Sequence, residues 1–187
     1  MGFAAWRQGE LQRCFARGAH PAHVATCSIA AGDFAQAQKE TFHRADAGSD
    51  RQGGMPMIGL DTNVLVRYFA EDDAAQCVRA VRFIESHCTL QNPGCISTVT
   101  LVELVWVLSS GYGYARSDVS NLLEAILETS VFHVQEVDCV RAAIERYRSG
   151  KADFADYFIG ELNSRDGAHP VYTFDKRLAR ETGFVLL

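Results

Sequence analysis

Short apolar strands alternating with amphipathic helices predict an α/β fold, a mostly parallel central sheet flanked by helices. Three observations carry this. The strand-like runs after residue 56 are separated by helix-length segments, the connection that parallel strands require. Turn and cap residues punctuate them at regular spacing. Aspartate or serine closes several strands, and in parallel sheets ligands bind beyond the carboxyl ends of the strands.

The elements read in order as follows. Residues 57–61 form a short strand, and Val64, Leu65, Tyr68 and Phe69 mark a helix. Asp73 caps a second helix whose apolar stripe is Val78, Val81, Phe83, Ile84 and Cys88. Residues 95–97 are a strand, leading into a helix over 101–108 that Gly111 and Gly113 end. Ser117 and Asp118 start a helix with Leu122, Leu123, Ile126 and Leu127 inward, before a strand at 131–134. Asp138 opens a helix through Val140, Ile144 and Tyr147, stopped at Gly150, and 153–163 is helical. A strand at 171–174, a short helix at 176–181 and a strand at 184–187 complete the chain.

Before residue 57 the apolar residues keep no period, and residues 44–54 have linker composition. The expected organisation is therefore a domain at 57–187 preceded by an unstructured or non-native extension at 1–56. Gln52-Gly53-Gly54 admits codons that spell a purine-rich ribosome-binding sequence just upstream of Met57, which makes Met57 a candidate true start. No apolar run approaches the roughly 20 residues of a membrane span. The six cysteines form no C-x-x-C pair and most have apolar neighbours, which fits reduced thiols in a cytoplasmic protein. The net charge of −5 lacks the basic footprint common in nucleic-acid binders, but a cluster of metal-binding acids gives the same sign.

Asp61, Asp175 and Glu103 follow strands whose ends share one sheet edge, and Asp153 and Asp156 share a face of one helix turn. Taken singly, Asp61, Asp153 and Asp175 are better explained by capping, since aspartate is favoured at helix starts. Glu103 is different. It is the only charge in the apolar segment 98–108, where a buried carboxylate would need a cation or an arginine to offset its desolvation. No histidine or cysteine accompanies these acids, so all-oxygen ligation points to Mg²⁺ or Mn²⁺ rather than Zn²⁺. Two such ions about 3.5–4 Å apart suit phosphodiester hydrolysis.

Four blocks carry a family resemblance: Ile58-Gly-Leu-Asp-Thr-Asn-Val-Leu65, Ile96-Ser-Thr-Val-Thr-Leu-Val-Glu103, Ala152-Asp-Phe-Ala-Asp-Tyr-Phe-Ile159 and Val171-Tyr-Thr-Phe-Asp-Lys176. In this order they resemble the successive motifs of PIN domains, and most closely the VapC-type toxins of bacterial toxin–antitoxin pairs. The resemblance covers residues 57–187. It implies a PIN-like three-layer sandwich and an Mg²⁺- or Mn²⁺-dependent endoribonuclease, dimeric and inhibited by a cognate antitoxin. Carried over residue by residue, the acids are Asp61, Glu103, Asp156 and Asp175, with Asp153 as a second candidate for the third acid. Asn63 and Thr173 are the orienting polar neighbours. The chain departs from the family at Tyr157 to Asn163, which is bulkier and more polar than the small-residue helix usual there.

Lys176 and Arg177 are candidate phosphate contacts. Arg141, Arg146, Arg148 and Lys151 suggest either an RNA path or a solvated helix face. His87, His133 and His169 are scattered and read as structural or exposed, and Trp106 as core or dimer interface. Three rivals fit less well. A haloacid-dehalogenase-like phosphatase needs a second aspartate where Asn63 stands. A receiver-like module needs a strand-end lysine, which Lys151 and Lys176 do not supply. A non-catalytic PIN-like RNA-binding module would lack acids that are all present here.

Overall fold

The computed structural model describes residues 56–70 and 73–187; the extension expected at 1–56 lies, but for Pro56, outside the described residues. Five short strands and six α-helices follow one another in the described chain: β1 (Ile58–Gly59), α1 (Thr62–Ala70), α2 (Ala74–His87), β2 (Gly94–Ile96), α3 (Thr98–Trp106), α4 (Arg116–Glu128), β3 (Phe132–Val134), α5 (Val137–Ser149), α6 (Phe154–Arg165), β4 (Val171–Thr173) and β5 (Phe184–Leu186). A π-type turn at Val107–Gly111 extends α3, and a 3₁₀ turn at Leu178–Arg180 joins β4 to β5.

Every strand pair is parallel, as the alternation predicts. β2 lies between β1 and β3, while β4 and β5 form a separate two-stranded sheet. β1 contributes only two residues to its ladder with β2. The helical crossovers bury one core built from Leu65, Ile84, Ile96, Leu101, Leu104, Leu122, Phe154 and Tyr157, among others.

Local signals place most boundaries. Asp73 caps α2 by accepting the N–H groups of Ala75 and Gln76, each at 3.0 Å. Ser97 caps α3 through the Thr100 N–H at 3.1 Å. Two expectations need correction. The buried side of α2 is Cys77, Ala80 and Ile84, with Val78 and Val81 half-buried and Phe83 exposed, where its ring stacks on His87. The expected helix at 176–181 shortens to the 3₁₀ turn.

Helix α1 packs on α2 and α3, α3 touches α6, and α6 packs on α5. Through α3, the helices at the ends of β1 and β2 and the helix α6 belong to one packed body.

Candidate active site

Asp61 stands between the end of β1 and the start of α1. Its carbonyl accepts the Val64 and Leu65 N–H groups at 3.1 and 3.3 Å, so the helix begins on it. Its Oδ2 accepts the Asn63 backbone N–H at 3.4 Å and the Asn63 side-chain amide at 3.3 Å. The capping role foreseen for Asp61 thus uses one carboxylate oxygen. The exposed side chain keeps Oδ1 without a protein donor among the described residues.

Thr62 follows, and it is a residue that sequence pattern did not single out. Its side chain is buried, and Oγ1 donates to Glu103 Oε2 at 2.6 Å. Hydroxyl-to-carboxylate bonds of this length are charge-assisted and hold their acceptor firmly. The only hint in the sequence was a hydroxyl residue on the first turn of α1, which is common at helix starts for other reasons.

Glu103 itself is exposed, contrary to the expectation of an enclosed carboxylate. The reason lies in the helix period. Leu101, Leu104, Val105 and Leu108 form the buried face, whereas Val99, Glu103 and Trp106 share the opposite one. Val99 is 74% and Trp106 66% exposed, so the apolar neighbours of Glu103 in sequence do not surround it in space. Trp106 is therefore not core.

At the start of α6, Asp153 is the N-cap and Asp156 the third helical residue, and the two form a reciprocal capping box. Asp156 Oδ2 accepts the Asp153 N–H at 3.1 Å. Burial pushes the Asp156 carboxyl above its ordinary range, and the charges of Asp153 and Asp175 add to this, against the backbone hydrogen bond that lowers it. The structure therefore brings Asp156 under the field of Asp175, which is remote in sequence. Asp153 is exposed and committed to the cap.

Asp175 lies just past β4. Its N–H donates to Thr173 Oγ1 at 3.0 Å, and its Oδ1 accepts the N–H groups of Arg177 at 2.7 Å and Leu178 at 3.4 Å. Thr173 thus fixes the backbone that carries Asp175. Lys176 and Arg177 are exposed beside it.

The basic run on α5 disperses. Arg146 pairs with Glu161 at 2.9 Å and donates to the Thr182 carbonyl, and Arg148 pairs with Glu124. These two arginines join helices. His133 and His169 are exposed.

Among the described residues, no three His, Cys, Asp or Glu side chains form a ready-made metal site. The donor chemistry nevertheless fits a hard cation. The four acids offer oxygen alone, and Asp61 Oδ1, Asp175 Oδ2 and Glu103 Oε1 have no protein donor among the described residues. The negative charges of Asp153 and Asp175 act on the half-buried Asp156, a surrounding that a cation would relieve.

The profile of the PIN domain family matches residues 58–183. The chain belongs to the PIN domain family. All four blocks that carry the acids fall inside the matched segment of this PIN domain. A relative named VapC ribonuclease, from Aquifex aeolicus (strain VF5), is 26% identical over 126 residues, which span 67% of this chain and 91% of that protein. No solved structure matches the chain.

Proposed function

We propose that this PIN domain is an endoribonuclease that hydrolyses RNA phosphodiester bonds with Mg²⁺ or Mn²⁺, the toxin of a toxin–antitoxin pair. The observation that carries the reading is the 2.6 Å bond from Thr62 to Glu103, which ties the acid-bearing turn after β1 to the acid on α3. Family membership and the named activity of the VapC relative support it.

Asp61, Glu103, Asp156 and Asp175 would hold the metal. When bound, a divalent ion in such a site activates water and neutralises charge developing on the phosphate. The chain's own residues supply the geometry. Asn63 restrains Asp61, Thr62 restrains Glu103, and Thr173 anchors the backbone of Asp175. Asp153 holds the turn from which Asp156 projects, and it serves as cap rather than ligand. Lys176, exposed beside Asp175, would meet a phosphate there.

The partners in this reading are an RNA substrate, a cognate antitoxin protein and a second copy of the chain. The exposed Val99 and Trp106 on α3 support an apolar contact surface. The reading includes a cytoplasmic site of action; among the described residues no helix is long and apolar enough to cross a membrane.

The test is cleavage of end-labelled RNA by the full chain with Mn²⁺, beside Asp61→Asn and Asp175→Asn. Cleavage by the wild type that both substitutions abolish is expected. Equal cleavage by all three proteins would overturn the assignment of the site.

A further inference from the structure

The four residues before α6 form a turn in which each backbone N–H has a partner. Gly150 donates to the Arg146 carbonyl at 2.8 Å, and Asp153 to Asp156 Oδ2 at 3.1 Å. Between them, Lys151 and Ala152 both donate to the hydroxyl oxygen of Tyr157, at 3.0 and 3.2 Å. Tyr157 is fully buried on the first turn of α6, immediately after Asp156. The Ala152 carbonyl is held from outside: Arg116 Nη1, at the start of α4, donates to it at 2.9 Å and to the Tyr147 carbonyl at 2.7 Å. The Arg116 guanidinium lies 4.1 Å over the Tyr147 ring, which fixes the donor's direction.

Gly150 is part of the same device. A Cβ there would overlap the Tyr157 hydroxyl and crowd the Arg146 carbonyl, so the turn closes on the tyrosine only with glycine at this position. A phenylalanine at 157 would fill the same core volume. The hydroxyl is used for the turn alone, and that turn carries Asp153 and Asp156.

We propose that Tyr157 and Arg116 are positioning residues that hold the turn at 150–153 so that Asp156 is presented to a divalent cation. The proposal rests on the metal-dependent reading above. Neither residue is a ligand or a substrate contact in this reading; both act through the backbone just before Asp153. Partners of this kind, which orient a ligand without binding metal, commonly govern affinity by about 10–100-fold. The departure of Tyr157 from the small-residue pattern thereby acquires a role that packing alone does not require.

The test is Mn²⁺ titration of the metal-free full chain, read by electron paramagnetic resonance of the free ion. Melting temperature and the Mn²⁺ dependence of RNA cleavage are measured in parallel. Tyr157→Phe is expected to remain folded and to bind Mn²⁺ at least about 10-fold more weakly. Half-maximal cleavage should need correspondingly more Mn²⁺, with most of the rate recovered at saturation. Arg116→Lys, which keeps the charge but loses the planar guanidinium that lies over Tyr147 and directs Nη1 to the two carbonyls, should shift in the same direction. A lowered melting temperature with wild-type Mn²⁺ affinity in Tyr157→Phe would assign the hydroxyl a purely structural role and overturn the proposal. If Tyr157→Phe does not fold, wild-type affinity in Arg116→Lys overturns it equally. A wild-type chain that binds no Mn²⁺ would instead overturn the metal reading on which the proposal stands, and is told apart by that measurement alone.

Discussion

Thr62 donates its hydroxyl to Glu103 at 2.6 Å, joining the turn after β1 to the middle of α3 across 41 residues of sequence. The bond links the neighbour of one candidate acid to the side chain of another. It also explains how an exposed carboxylate can be held in one orientation without burial.

Thr62→Val keeps the shape of the buried side chain and removes the donor. Cleavage should fall about 10-fold, with a small change in melting temperature, whereas Thr62→Ser should retain most activity. Glu103→Gln should keep the fold and lower the cleavage rate by about 100-fold or more, the scale of losing a group that organises charge at a reaction centre. Near wild-type rates for Glu103→Gln would remove Glu103 from the site.

Asp153 and Asp156 should separate cleanly. Asn caps a helix nearly as well as Asp, so Asp153→Asn should cost little activity and little stability. In Asp156→Asn the side-chain oxygen can still accept the Asp153 N–H, so the fold should persist while Mn²⁺ binding and cleavage are lost. Cleavage rates and melting curves for both proteins decide the matter; an inactive Asp153→Asn beside an active Asp156→Asn would reverse the two roles.

The raised Asp156 carboxyl also has a consequence for metal-free stability. Its folded value lies above the ordinary 3.8, so the folded state binds the proton more tightly than the unfolded chain. The stability contributed by this group is full below 3.8 and is lost as pH rises through the raised value. With chelator present, the melting temperature of Asp156→Asn minus that of wild type should grow more positive as pH rises through this window, then level off. A difference independent of pH would contradict the environment described for Asp156. Mn²⁺ should raise the melting temperature of wild type and not of Asp156→Asn.

Sequence pattern reached the parallel α/β architecture because strand and helix periods are local properties. It reached Asp61, Asp156 and Asp175 as candidates because they sit at element boundaries. It misjudged the burial of Glu103, because an apolar run around a charge looks like burial until the helix is wound and Val99 and Trp106 turn outward. The stripe of α2 failed similarly at Phe83, where the small Cys77 and Ala80 face the core instead. Thr62 and Arg116 could not be found by pattern at all, since their partners Glu103 and Ala152 lie 41 and 36 residues away and only the packed fold brings them together.

The elements from β1 onward bury one core together. A protein beginning at Met57 should therefore express in folded form and cleave RNA at the rate of the full chain. An insoluble or unfolded product would show that residues 1–56 contribute to the domain.

Whether four oxygen-donor acids hold a divalent ion for RNA hydrolysis is tested most directly by cleavage by the full chain after chelation and metal return. EDTA should stop cleavage of end-labelled RNA, Mg²⁺ or Mn²⁺ should restore it, and neither ion should rescue Asp175→Asn. Undiminished cleavage in EDTA would contradict that role of the acids.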